Sequence, residues 1–314
     1  MNNKKQLLLV VAMGLLAGPI AAQAQGAYDY EVFIFPGSTF DQVFGINDRG
    51  DAVGNGFIDP DVIPYVYDTK KGGFTNVTPV AGFDGTAVLG ISDRGVLVGS
   101  VFDGPVAHGL IIGQNGASTV FDHHDAVSLT EARGVNNKGL VTGFRDDTDD
   151  QFAPENGFIY DPKTDTFTDI VPSIFTIAQG INSKGEVVGS AIFDGDFGAP
   201  DPCGSSDPFV ERGWLRTADG TVTFFSVNGG DTSARGITDS GTIAGFVDDP
   251  DSGLTKGFVV ELDGSQCQSF TIADADLLHF PGSSGTFPGG IKNSGDVVGS
   301  YDDGMTIGFI ARPQ

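Results

Sequence analysis

The chain has 314 residues and a formal net charge of -24, with 41 acidic against 17 basic side chains. Such a field excludes nucleic acid and anionic lipid surfaces, which are held by Lys and Arg, and it attracts cations. Its 25 phenylalanines, in regularly spaced apolar stretches, argue against disorder, and its 47 glycines imply many tight turns.

Lys4 and Lys5 precede an apolar run from Leu7 to Leu16, and Ala22-Gln23-Ala24 supplies a small-x-small cleavage pattern. Residues 1–24 therefore read as a signal peptide and 25–314 as a single repeat domain, secreted or periplasmic. A retained anchor is the competing reading. Gly14, Gly18 and Pro19 interrupt the run, however, and it is short for a span of about 20 residues. No later stretch has the length and apolarity to insert into a membrane.

Tyr30 to Phe35 forms a strand-like segment, and a hairpin motif that recurs six times follows it. The first copy is Gly45-Ile46-Asn47-Asp48-Arg49-Gly50-Asp51-Ala52-Val53-Gly54. Later copies begin at Gly90, Gly134, Gly180, Gly236 and Gly290, at spacings of 45, 44, 46, 56 and 54 residues. A period near 45 residues falls in the range of propeller blades. Asn47 and its counterparts Ser92, Asn136, Asn182 and Thr238 open a turn by bonding a nearby backbone N–H, and Gly50 and its counterparts close it. A third strand follows each hairpin, as in Tyr65-Val66-Tyr67, and most copies add a fourth, as in Phe167-Thr168-Asp169-Ile170.

The last unit stops after its third strand, while Tyr30 to Phe35 lacks a partner. The expected fold is thus all-β, a six-bladed β-propeller closed by its N-terminal strand pairing near Gly308 to Ala311. A parallel β-helix, whose repeats are shorter, and a sandwich are the competing architectures. Extra length near 190–211 and 260–279 reads as insertions in units four and five.

The motif resembles the bacterial extracellular repeat family of the HAF type, best in Gly180-Ile181-Asn182-Ser183-Lys184-Gly185-Glu186-Val187-Val188-Gly189. The naming His-Ala-Phe tripeptide is replaced here, for example by Ala107-His108-Gly109. This resemblance implies export and carries no catalytic residues with it.

Cys203 and Cys267 are the two cysteines. Export permits a bond between them, whereas strand parity starts their loops on opposite faces, so the pairing stays open. Nucleotide-loop and HExxH motifs are missing from the sequence, and Gly99-Ser100 and Gly189-Ser190 read as blade geometry. Trp214 replaces a third-strand Phe and reads as core. Asp122-His123-His124-Asp125 reads as a solvated loop, with a transition-metal site as the sharper alternative. Asp146, Asp147 and Asp149 in unit three, and Asp248, Asp249 and Asp251 in unit five, follow second strands and should emerge on one face. They are either a solubilising surface or sites for calcium, which takes six to eight oxygens.

Pervasive repetition without a distinct reactive constellation favours a noncatalytic exported binding or scaffold protein with an extracellular ligand or protein partner. The alternative is an extracellular calcium-dependent phosphoester hydrolase or glycan hydrolase. Side chains that break the symmetry near the axis would favour the enzyme, and symmetry-equivalent ones the scaffold.

Overall fold

The computed structural model describes residues 20–25 (backbone only), 28–146, 155–170, 173, 175–195, 198–205, 207, 209–271 and 275–314. Two strands precede the first motif, β1 (Ile20–Gln25) and β2 (Tyr28–Phe33). Blade 1 comprises β3 (Phe40–Ile46), β4 (Asp51–Ile58), β5 (Asp61–Asp68) and β6 (Gly73–Asn76). Blade 2 comprises β7 (Gly85–Ile91), β8 (Leu97–Asp103), β9 (Val106–Ile112) and β10 (Ser118–Phe121). Blade 3 comprises β11 (Thr130–Val135), β12 (Val141–Asp146), β13 (Glu155–Asp161) and β14 (Thr166–Ile170). Blade 4 comprises β15 (Phe175–Ile181), β16 (Val187–Asp194), β17 (Phe209–Arg216) and β18 (Val222–Val227). Blade 5 has β19 (Asp231–Ile237), β20 (Thr242–Asp249) and β21 (Leu254–Glu261); β22 (Cys267–Phe270) then departs, and β23 (Asp276–Leu278) returns to pair with β21. Blade 6 comprises β24 (Gly285–Ile291), β25 (Val297–Asp302) and β26 (Thr306–Pro313).

The N-terminal strand closes the ring. β2 lies antiparallel to β26, with Tyr30 opposite Ala311, Val32 opposite Phe309 and Phe33 opposite Gly308. Both faces of β2 are covered. Tyr28, Tyr30 and Val32 join an apolar cluster between blades 5 and 6, while Phe33 stacks on Tyr67 and Phe35 on Tyr65 in blade 1. Each of six such clusters fills one seam between neighbouring blades, so burial holds blade to blade around the whole ring. Trp214 is fully buried in the seam between blades 3 and 4, where it packs against Gly189, the last glycine of its motif.

The turn asparagines do more than open turns. Asn182 Oδ1 accepts the Glu186 N–H at 3.0 Å, and its Nδ2 donates to Thr238 O of the next blade at 3.0 Å. Asn47 and Asn136 cross to Ser92 O and Asn182 O in the same way. The following residues form a second belt on this face: Asp48 N–H donates to Asp93, Ser183 N–H to Asp239, Asp239 N–H to Asn293 and Asn293 N–H to Asp48.

Cys203 and Cys267 are bonded, with Cα atoms 5.7 Å apart. The parity objection fails because β22 leaves blade 5 and adds in parallel to β18, Cys267 opposite Phe224. That carries Cys267 to the rim of blade 4, where Cys203 lies in the β16–β17 insertion.

Candidate functional site

Each inner strand carries one register break, immediately before its motif glycine: between Val43 and Gly45, Val88 and Gly90, Ala132 and Gly134, Ala178 and Gly180, Ala234 and Gly236, and Pro288 and Gly290. A bulge of this kind inserts one unpaired residue and re-aims its side chain. The inserted residues are Phe44, Leu89, Arg133, Gln179, Arg235 and Gly289, and all line one cavity of about 300 Å³ formed by the inner strands. Among these bulge residues blades 6, 1 and 2 supply the apolar Gly289, Phe44 and Leu89, and Gln42, Ser300, Asp302 and Thr306 line the cavity on the same side. Blades 3, 4 and 5 supply Arg133, Gln179 and Arg235, a wall of hydrogen-bond donors. These chemistry-bearing positions break the sixfold repetition.

The donors are under-used. Gln179 is 5% exposed, and its buried Nε2 has no hydrogen-bond partner. Arg235 makes no ion pair among the described residues; its buried Nε is also unpartnered, and its guanidinium lies 4.7 Å from the Phe246 ring centre. Arg133 Nε is 2.5 Å from Glu131 Oε1, and its guanidinium sits over Phe144. Burial lowers the Arg235 pKa to about 10, reinforced by Arg133 and opposed by Glu211 and Glu131. Burial also raises Glu211, against a Ser190 hydrogen bond and the Arg235 charge, and raises Glu155, against Arg133. Arg133 and Arg235, which line the cavity, therefore interact with Glu131, Glu155 and Glu211, which lie outside its lining; Asp302 is the carboxylate in that lining.

Ser190 supports Glu211 and Ser100 Oγ is 3.4 Å from Glu131, while Ser300 Oγ accepts the Val43 N–H of blade 1. The recurrent Gly-Ser pairs thus place serines that bond to neighbouring groups. The apolar side chains most exposed on the surface, Phe40, Val62, Val127, Phe209 and Met305, all lie where a first or third strand begins. Antiparallel order puts them on one face of the disc, together with the second-to-third-strand loops.

The acidic residues singled out from the sequence stand at the entrance to those loops: Asp146 ends β12 in blade 3, Asp248 and Asp249 end β20 in blade 5, and Asp251 follows them. Asp147 and Asp149 lie outside the described residues. Asp146 accepts the N–H groups of Val127, Ser128 and Leu129 and the Ser128 hydroxyl; burial raises its pKa, but these bonds outweigh it and leave it below the usual value. Asp249 faces Lys256 at 2.7 Å and accepts from Ser252 and Asn228, and Asn228 also reaches Asp251. Asp248 accepts the Thr255 hydroxyl.

His123, His124 and Asp125, on the connection between blades 2 and 3, form a group capable of holding a divalent cation, with ligand atoms all within 4.8 Å of one another. This donor set is not specific for calcium. Among the described residues no helix is long and apolar enough to cross a membrane.

No family model matches the sequence, and neither does any curated protein. The all-β repeat architecture is matched by solved structures, while the HAF-type resemblance rests on the motif alone. A gluconolactonase-like protein superposes with TM-score 0.55 at 12% identity, over 92% of this chain and 93% of that one. Oligogalacturonate lyase from Vibrio parahaemolyticus gives 0.50 at 11% identity, over 94% and 98%. TolB from Acinetobacter baumannii gives 0.52 at 13% identity over 70% of this chain, which spans about half of TolB (51%). At these identities the likeness establishes the fold, which resembles the six-bladed propellers. The expectation of a noncatalytic scaffold is corrected here: the neighbours include a lyase on the same propeller, and the axial cavity carries the asymmetric constellation that the scaffold reading assumed missing.

Proposed function

We propose that the chain is an enzyme that cleaves an acidic glycan, binding a carboxylate of the substrate in the axial cavity. The observation that carries this reading is the convergence of unpartnered donors, Gln179 Nε2 and Arg235 Nε, on a cavity that Arg133 also lines. Buried donors without acceptors are costly unless a ligand supplies them, and a guanidinium matches a carboxylate in bidentate fashion. Phe44, Leu89 and Gly289 offer the apolar side of a sugar ring a surface opposite the donors. The general acid of glycoside hydrolysis is a carboxyl group whose pKa is raised. Glu211, raised by burial and acting on the cavity-lining Arg235, is assigned the general-acid role.

Calcium-dependent phosphoester hydrolysis is the second reading. The observation favouring it is that the acidic loops of Asp146 and of Asp248, Asp249 and Asp251 share one face of the disc. Export belongs to the same proposal: cleavage after Ala24 removes all of β1 but Gln25 and leaves blade 6 with β24, β25, β26 and β2.

The test is a depolymerisation assay on acidic oligosaccharides and neutral counterparts of equal length, with and without EDTA. The proposal expects cleavage of the acidic series only and loss of at least about a hundredfold in Glu211→Gln. Equal activity on both series, or none on either, would refute it, and an EDTA-sensitive phosphatase activity would favour the second reading.

A further inference from the structure

The connection between blades 2 and 3 carries chemistry that the axial site does not use. His123 is fully buried, with its ring 4.3 Å from Phe167 and 4.4 Å from His124. Its Nδ1 accepts the Asp125 N–H at a long 3.2 Å, which leaves the ring proton on Nε2, 3.0 Å from Asp169 Oδ1. A carboxylate that fixes one imidazole nitrogen as donor, and so presents the other as a lone pair, is the arrangement that orients metal-binding histidines. His124 Nε2 and Asp125 Oδ2 are 3.3 Å apart, close to the ligand–ligand edge of a tetrahedron with bonds of about 2.0 Å. Both side chains are more than half exposed, so solvent can complete the coordination.

We propose that His123 Nδ1, His124 Nε2 and Asp125 Oδ2 form a site for a divalent transition-metal ion of the zinc class, with Asp169 as the positioning residue. Two imidazoles and one carboxylate select a borderline-soft ion over calcium, which prefers an all-oxygen shell. The ion takes the lone pair that now receives the Asp125 N–H. Arg145 Nη2 stands 3.8 Å from Asp125 and 3.9 Å from Asp169, so the nearby positive charge is opposed by both carboxylates. All three ligands are consecutive, so the ion braces one connection without joining blades, and the site is separate from the axial cavity.

The test uses untagged full-length protein freed of metal with EDTA. Cobalt(II) is titrated while its visible ligand-field band is followed, and zinc and calcium chlorides then compete. The expected result is one cobalt site displaced by zinc and not by calcium. His124→Ala should abolish the band without changing thermal unfolding in EDTA, and Asp169→Asn should weaken zinc about 10- to 100-fold. Asp169→Glu should recover part of that loss. No band, displacement by calcium at zinc-like concentrations, or unchanged binding in His124→Ala would overturn the proposal.

Discussion

Arg312 and Glu31 form an ion pair at 2.8 Å between β26 and β2, the paired strands in which the two ends of the chain meet. The pair marks the register of closure and contributes little energy, because Arg312 is partly exposed. Arg312→Ala should therefore cost under about 1 kcal/mol. Deleting residues 28–36 should instead destabilise the whole ring, since it strips Tyr28, Tyr30, Phe33 and Phe35 from two seams and bares the edge of β26. Calorimetry and light scattering check both, with a large fall in melting temperature and association expected for the deletion alone.

Asp41 is completely buried on β3 of blade 1. Oδ1 accepts the Tyr65 hydroxyl at 2.6 Å and Oδ2 the Phe35 N–H at 2.7 Å. Burial raises its pKa to about 6, against those two bonds. A carboxyl raised on folding takes up a proton more readily in the native state, so its stabilising contribution is complete below about pH 4 and lost as pH rises through about 6. Asp41→Asn should cost about 1–3 kcal/mol, because one amide oxygen replaces two carboxylate oxygens between the Phe35 N–H and the Tyr65 hydroxyl. Wild type should gain on this variant as pH falls from about 7 to 4. A difference in unfolding free energy independent of pH would remove Asp41 as the titrating group.

The Cys203–Cys267 bond closes a loop over a sequence separation of 64 and pins β22 to blade 4. Replacing both cysteines by serine should lower stability by about 2–4 kcal/mol. Protection against hydrogen exchange should be lost first in β22 and the 198–205 insertion, and blades 1 and 2 should keep theirs.

Asn182→Asp retains the oxygen that accepts the Glu186 N–H, removes the Nδ2 donor to Thr238 O, and sets a carboxylate against Glu186 Oε2, to which Nδ2 also donates at 2.6 Å. It should cost about 1–2 kcal/mol, more than an exposed charge change, because Thr238 O is left facing a carboxylate. Denaturant unfolding measures the difference, and an effect within about 0.5 kcal/mol would mean that the inter-blade bond adds nothing.

The ring was legible in the spacing of the six motifs, and its closure in one surplus strand at the start against one missing at the end. The disulfide was not, because β22's choice of β18 over its own blade is a long-range pairing that no local pattern encodes. The acidic loops are conspicuous in the sequence because charge is visible there, whereas partners such as Lys256, Asn228 and Ser128 emerge from the fold. The axial site did leave a trace. The residue before the motif glycine reads Phe44, Leu89, Arg133, Gln179, Arg235 and Gly289, a variable column beside a constant one. Its meaning depends on the bulge, which turns that residue toward the axis.

Carboxylate binding in the axial cavity is measured by calorimetric titration of an acidic oligosaccharide and its neutral counterpart into Glu211→Gln, which leaves the cavity lining unchanged and removes the assigned general acid. The acidic ligand should bind at least about tenfold more tightly, and adding Arg235→Met should lower its affinity by about 10- to 100-fold with little effect on the neutral one. Equal affinities for the two ligands, or an acidic ligand indifferent to Arg235→Met, would contradict carboxylate binding there.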